Sequence, residues 1–311
     1  MMPIFTNSSS TNFTAKFSNG TVEGETRNAP LNVHFVITIV INSVTCPFTV
    51  LLNVLVMIAV KRRPRLRSNA NILLACLAAT DALTGVTTQP SFIAWKASQL
   101  VGFVIRSGPF RVFGHNSFIR LWSVCSCLHL VLVTCERLVA IKFTMRYYDI
   151  ATKRKINIAV ISCWIVSLSC EFLKRTKITA KFSELIVALV LMSSILFIAS
   201  AYVVLYLETS RHQKMIKTQQ LPQEEVEKFI KESKALKTTV YVIGAVALCF
   251  LPMGITLLSY KMKWPVIFPS PWVRTFAMLN SFINPFIYCW RQKEMRKFVF
   301  RMQPQAVNPV I

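Results

Sequence analysis

Acidic side chains are scarce in this sequence. Of 311 residues only 13 are Asp or Glu, against 36 Lys or Arg, and charged residues make up 16%. A soluble globular domain carries about 25% charge, so an ordinary water-facing surface is excluded for most of the chain. Glycine is also sparse, at 8 residues, and no stretch repeats another. Both absences argue against a transporter built from repeated halves with broken helices at the midplane. No ring of like residues stands out as a pore or filter, which argues against a channel. His34, His115, His129 and His212 form no metal-spaced cluster, and no nucleophile stands beside a base, so no enzyme is expected. From Arg291 onward there is no Ser, Thr or Cys. That segment therefore offers no palmitoylation or phosphorylation site; any kinase would have to use Thr209, Ser210, Thr218 or Ser233. The start lacks the pattern of a cleaved signal peptide.

What the chain does have is apolar residues, 53% of the total. They gather into seven runs at about 34–60, 69–93, 112–141, 156–173, 184–208, 237–260 and 272–290, and a helix needs ~20 residues to cross a bilayer. The fourth is the weakest, being free of charge only over Ile156–Cys170. No soluble-sized domain interrupts the series, so the expectation is an all-α membrane protein. It would comprise a leader (1–33), a seven-transmembrane helix bundle (34–290), and a short amphipathic eighth helix with its tail (291–311). The loops 61–68, 142–155 and 209–236 and the tail carry the dense Lys and Arg, which places them on the cytoplasmic side. The N-terminus is then extracellular, where Asn7, Asn12 and Asn19 each open an N-glycosylation triplet. The net charge of +23 is divided among loops rather than gathered on one soluble face, so a nucleic-acid partner is not expected. The nine cysteines all fall within or at the ends of the runs. They read as buried thiols, with no disulfide between outer loops.

The third run organises the rest. Ser117–Ile141 holds no Gly or Pro, and its only ions are Arg120 near one end and Glu136-Arg137 near the other. Ions at membrane depth face a protein interior or a wet cavity and mark function. Other polar residues share a mid-membrane depth: Asn53, Asp81, Ser126, Asn280, Ser281 and Asn284. Asp81 lies about 21 Å in from Arg67 along helical rise, so its carboxylate needs partners. Together these read as one buried network that could hold a hydrated cation at Asp81. The Glu/Lys pattern of Gln219–Lys237 reads as a cytoplasmic extension of the sixth helix, Pro252 as a kink within it. Arg291–Met302 alternates basic and apolar residues, as a helix lying on membrane lipid of the inner leaflet would.

In this order and spacing, Asn53, Leu77-Ala78-Ala79-Thr80-Asp81, Glu136-Arg137, Trp164, Pro252 and Asn284-Pro285-Phe286-Ile287-Tyr288 resemble a rhodopsin-like (class A) G-protein-coupled receptor. The resemblance covers about 34–302 and implies a cell-surface receptor for an extracellular ligand acting on a heterotrimeric G protein. It implies that Arg137 pairs with Glu136 and with Glu232 at the foot of the sixth helix at rest. That helix would swing out about Pro252, with Phe250 above it, freeing Arg137. Tyr202 and Tyr288 match tyrosines that join the arginine in the active state, and Met145 matches the apolar plug into the G protein. Asp81, Ser126, Asn280 and Ser281 match a sodium site that favours the inactive form; no other cofactor is implied. The chain departs from the pattern at Val112 (no outer disulfide), Ser194, Phe250, Cys127, Val246 and Leu138. Loss of the disulfide and of the fifth-span proline is similar to the melanocortin, lysolipid and cannabinoid subgroup.

For the ligand, two exclusions come from the same resemblance. Ile119 stands where amine receptors carry aspartate, and Met278 where opsins carry the Schiff-base lysine. The outer half is basic, with Lys96, Arg120 and Arg274 among many. Arg120 and Arg274 are expected to face one outer pocket. Guanidinium groups suit carboxylate or phosphate, which points to an anionic lipid, organic acid or acidic peptide. A multi-span transporter or channel is the alternative reading.

Overall fold

The computed structural model of the protein describes residues 33–101, 115–143, 146–173, 180–218, 244, 248–259, 262–265 and 268–301. Among them the regular structure is helical throughout. This is one of two solutions open to a chain in hydrocarbon, where backbone N–H and C=O groups must be satisfied by the protein itself. The first helix, α1, spans Val33–Arg62. Next, α2 (Asn69–Leu83) passes through a π turn at Thr84–Thr88 into α3 (Gln89–Val101). Then come α4 (His115–Lys142), the short α5 (Tyr147–Ile150), α6 (Lys153–Leu173) and α7 (Ala180–Thr218). The series ends with α8 (Leu248–Ser259), α9 (Ser270–Arg291) and α10 (Lys293–Arg301).

With α2 and α3 taken as one rod, five of these helices are long and apolar enough to cross a membrane. The sixth expected span is described only over α8. The seventh, α9, has 22 residues, but Arg274, Asn280, Ser281 and Asn284 make it less apolar than the other five. Two helices outrun the hydrophobic runs that announced them: α3 continues to Val101 and α7 to Thr218. Hydrophobicity reports the thickness of the membrane, whereas the helix ends where its hydrogen bonds end. Between α9 and α10 the chain breaks at Gln292, whose backbone is extended (φ −114°, ψ 108°). There α10 turns back on the bundle and buries Met295 and Val299.

The bundle is apolar on both sides. Val56, Leu77, Val124, Leu191, Leu205 and Phe250 are buried in its centre, while Val40, Val44, Phe48, Ile158, Ile161, Ile165, Leu196 and Val203 are exposed on its outside. That pattern belongs to helices surrounded by lipid. Lipid tails are as apolar as leucine, so helices cohere through close packing and hydrogen bonds rather than through expulsion of water. On α1 those bonds form a seam: Thr38, Asn42, Thr45, Thr49 and Asn53 recur every three or four residues and are all buried. Asn42 Nδ2 donates to Thr275 Oγ1 of α9 at 3.0 Å, and Asn53 Nδ2 to the Ser281 carbonyl at 3.0 Å. Gln89 Nε2 of α3 donates to Thr45 Oγ1 at 3.0 Å.

Close approach matters most at Gly85, inside the π turn. Its carbonyl accepts from Cys46 Sγ at 3.2 Å, and a Cβ placed there would lie 2.7 Å from Val50 Cγ2 and 3.3 Å from the Val50 nitrogen. Backbone cannot yield as a flexible side chain can. Gly85→Ala is therefore expected to lower stability by about 1–3 kcal/mol, the usual range for overpacking; a thermal melt of the purified variant measures it.

Candidate functional site

Midway through the bundle, Asp81 of α2 is fully buried. Ser281 Oγ donates to its Oδ1 at 2.8 Å, Asn284 Nδ2 to its Oδ2 at 2.8 Å, and Ser126 Oγ to Oδ1 at 3.4 Å. Asn280 Nδ2 in turn donates to Ser126 Oγ at 3.4 Å. Positions 280, 281 and 284 meet because residues four and three apart share one face of α9, and that face looks at α2 and α4. Pro285 lies within the same helix. Two buried acceptors, Asn280 Oδ1 and Asn284 Oδ1, have no hydrogen-bond partner among the described residues. The set is therefore a carboxylate with hydroxyl and amide oxygens around it, the hard donor type that suits alkali and alkaline-earth cations rather than transition metals.

Beside this network, away from the basic loops, lies a narrow cavity with room for about one water molecule. Ser126 and Ser281 form part of its lining, and so do Ile119, Trp122, Phe250 and Met278. Three residues singled out in the sequence, Ile119, Phe250 and Met278, thus meet at one space that shares walls with the Asp81 network.

Toward the same end of the bundle the cations gather. Arg120 of α4 is buried, and its Nη2 lies 3.1 and 3.0 Å from Oε1 and Oε2 of Glu171 on α6. Lys96 of α3 is only 2% exposed. Its Nζ donates to Gln99 Oε1 at 3.0 Å and sits 3.6 Å from the Phe35 ring centroid and 4.1 Å from that of Trp95. Arg274 of α9 lies over the same Trp95 ring, its Cζ at 4.9 Å. Arg274 is within electrostatic reach of both Arg120 and Lys96. The structure thus places Arg120 within electrostatic reach of Arg274 and couples it to Glu171. In the sequence Lys96 stood only as one of many outer cations, and the Arg120–Glu171 pair was not singled out. An acid interrupting the fourth run was a usable signal, because an intramembrane carboxylate requires a partner.

At the opposite, basic-loop end, Glu136 of α4 is buried. Tyr147 of α5 donates its hydroxyl to Glu136 Oε1 at 2.6 Å. Arg137 Nε lies 3.4 Å from Glu136 Oε2; neither atom is aligned for a hydrogen bond there, so the contact is one of charge. Burial first, then the hydrogen bond to Glu136, pushes the Tyr147 hydroxyl up to about 12, so it keeps its proton and remains a donor at neutral pH. Asn69 Nδ2 donates to the Ala151 carbonyl at 2.7 Å, which fastens this loop to the start of α2. Tyr202 and Tyr288 are both buried, and Pro252 lies within α8. Tyr147 was not foreseen. Met145, Glu232, Asn7, Asn12, Asn19, Val112 and Val246 lie outside the described residues.

Comparison with known proteins agrees with this arrangement. The profile of the family described as "7 transmembrane receptor (rhodopsin family)" matches residues 52–184 and 169–288. Among similar proteins, sphingosine 1-phosphate receptor 2 of Homo sapiens is 27% identical over 281 residues, covering 83% of this chain and 74% of its own. Adenosine receptor A2a of Cavia porcellus is 25% identical over 295 residues, covering 83% and 70%. Sphingosine 1-phosphate receptor 3 of Takifugu rubripes is 24% identical over 281 residues, covering 82% and 67%. Nothing in these comparisons favours a transporter, a channel or an enzyme. The chain belongs to the rhodopsin family of seven-transmembrane receptors, multi-pass membrane proteins that take extracellular ligands and couple to G proteins.

Proposed function

We propose that this receptor responds to an anionic amphiphile, whose charged group settles between Lys96 and Arg274. The observation that carries this reading is Lys96, an ammonium group 2% exposed, without a carboxylate partner among the described residues, beside a second cation. A buried charge is costly unless paired, and a ligand carboxylate or phosphate supplies the pair. Relatives named for sphingosine 1-phosphate accord with a phosphorylated lipid. Those named for adenosine, an uncharged nucleoside, offer Lys96 nothing comparable. Ile119, Trp122 and Met278 would meet the apolar part of the ligand. The N-terminus would be extracellular, with Asn7, Asn12 and Asn19 glycosylated and the chain at the plasma membrane.

Binding shifts a two-state equilibrium only as far as the ligand prefers the active state. In that state the sixth span, which contains α8, swings outward about Pro252, Phe250 repacks, and Arg137 leaves Glu136 and Glu232. Tyr202 and Tyr288 then receive Arg137, and the opened cleft admits the G protein with Met145 against it. Asp81, Ser126, Ser281, Asn280 and Asn284 would hold a sodium ion in the resting state. Its chemistry there would be the counter-charge that a fully buried carboxylate needs. Asp81→Asn is accordingly expected to abolish the dependence of ligand-free nucleotide exchange on sodium when choline replaces it at constant ionic strength. A retained sodium effect in that variant would remove Asp81 from the assignment.

The reading is tested in membranes from cells expressing the full chain, by nucleotide exchange on added G proteins. Sphingosine 1-phosphate, lysophosphatidic acid, oleate and the neutral monoolein serve as probes. Stimulation by an acidic probe but not by monoolein is the expected result. Stimulation by monoolein alone, or by none of the acids, overturns the ligand class and leaves the receptor family untouched.

A further inference from the structure

Nearer the mouth of the bundle than the Asp81 network, α1, α3 and α9 meet around four buried side chains, Asn42, Thr45, Gln89 and Thr275. The hydroxyl hydrogens here are already spent. Thr45 Oγ1 donates to the Ile41 carbonyl at 2.8 Å, and Thr275 Oγ1 to the Pro271 carbonyl at 2.9 Å. Each hydroxyl therefore turns its lone pairs to an amide. Gln89 Nε2 donates to Thr45 Oγ1 at 3.0 Å, and Asn42 Nδ2 to Thr275 Oγ1 at 3.0 Å and to the Thr38 carbonyl at 2.8 Å. Reversing the Asn42 amide would set its oxygen against the Thr38 carbonyl. Reversing Gln89 would only exchange an unmet oxygen for an unmet NH2 group. What remains is a pair of acceptors: Asn42 Oδ1 and Gln89 Oε1 are buried, with no hydrogen-bond partner among the described residues.

Unmet acceptors inside a bundle are costly, and buried groups without protein partners are as a rule met by bound water or an ion. Charge decides between the two. No carboxylate bonds to any of the four side chains among the described residues. The ions next along the same helices are cations, since Arg274 adjoins Thr275 and Lys96 follows Gln89 by seven residues, two turns along one face of α3. A cation would be repelled, whereas a neutral donor would not. The inner half of α1 supplies the contrast. Asn53, eleven residues on, repeats the pattern of Asn42: its Nδ2 donates to the Thr49 carbonyl at 2.8 Å and to the Ser281 carbonyl at 3.0 Å, and its Oδ1 is unmet. At that level Ser281 leads to the Asp81 carboxylate. At the outer level the partner helix offers Gln89, an amide, so the charge that calls for a cation is missing.

We propose that a water molecule is bound between α1 and α3 at this level, donating one hydrogen to Asn42 Oδ1 and the other to Gln89 Oε1. It supplies the two hydrogens that the cluster lacks, and two polar partners suffice to hold a buried water. Through it α3 is joined to Asn42, and through Asn42 to Thr275 of α9, so that three helices share one joint. Helices in lipid cohere through such bonds. None of the four side chains lines the cavity beside Asp81, so this is a separate site. Its assignment rests on neither the ligand nor the sodium proposed above.

Two experiments on the full receptor in lipid test this. In a density map fine enough to show ordered water, a peak about 2.8 Å from both Asn42 Oδ1 and Gln89 Oε1 is the expected result. No peak there, or one about 2.4 Å from several oxygens as a metal cation would be, overturns the water. The second experiment measures unfolding by SDS titration for Asn42→Leu, Gln89→Leu and the double variant. The two side chains share no direct bond, so a bridge is what couples them. The unfolding constant of the double variant should rise about tenfold less than the product of the two single effects. Gln89→Leu with Thr134→Val, a buried position near the basic-loop end of α4, should combine as a simple product to within about twofold. Simple multiplication for Asn42 and Gln89 as well would overturn the bridge. If the double variant fails to fold, the map of the unaltered receptor still decides.

Discussion

Replacing Glu171 with alanine is expected to destabilise the receptor by about 3–5 kcal/mol, the cost of stripping one partner from a buried ion pair. Arg120 and Glu171 have side chains only 8% and 10% exposed and approach to 3.0 Å. Without the carboxylate, the Arg120 guanidinium loses this ion pair inside the bundle while staying within electrostatic reach of Arg274. Glu171→Gln keeps the shape and two polar groups but not the charge, and should fall between wild type and alanine. Removing both ions, as in Arg120→Met with Glu171→Leu, should recover most of the loss, since an apolar pair of similar volume often replaces a buried ion pair at little cost. Thermal melts of the four proteins in one nanodisc composition measure the order. A double variant as unstable as Glu171→Ala would mean that packing around α6, not charge, sets the result.

The second large effect carries opposite signs in two assays. Lys96→Met with Arg274→Met should reduce the potency of the effective acidic probe by about 10²–10⁴-fold, because hydrogen bonds to charged groups contribute about 1.5–3 kcal/mol each. The same pair should raise the melting temperature of the ligand-free protein, since it removes two like charges that both lie against the Trp95 ring. A residue with a purely structural role cannot do both. Loss of potency together with loss of stability would assign Lys96 and Arg274 to holding the fold. Unchanged potency would place the ligand elsewhere.

These pairings show where sequence reading ends. The Asp81 network was legible because depth and spacing are one-dimensional quantities: 280, 281 and 284 share a face of any helix, and Asp81 and Ser126 lie at the same level. The seven spans were legible for the same reason, as lengths of apolar chain. Arg120 with Glu171 was not, because a partner across the bundle depends on which helices touch and on how each is rotated. Lys96 lay beyond the second hydrophobic run as first bounded, and only the continuation of α3 to Val101 makes it part of a helix. Tyr147 reaches Glu136 through a loop whose path no periodicity encodes. The seam on α1 is a different case. Thr38, Asn42, Thr45, Thr49 and Asn53 follow a helical period plainly, but a run that is apolar on average draws attention away from its own polar stripe.

The wide turn at Thr84–Thr88 has a consequence for how such a molecule diversifies. One residue more or less in a helix re-aims everything beyond it by about 100°, and wide turns of this kind are single-residue insertions. The joint therefore works as a swivel between two halves of one rod. Below it Asp81 stays in register with α9; above it the bearing of Trp95 and Lys96 is set independently. Deleting Val86 should turn that upper segment to a new heading while the lower half keeps its place, so the chemistry read at the mouth of the bundle is free to vary without retuning the gear beneath.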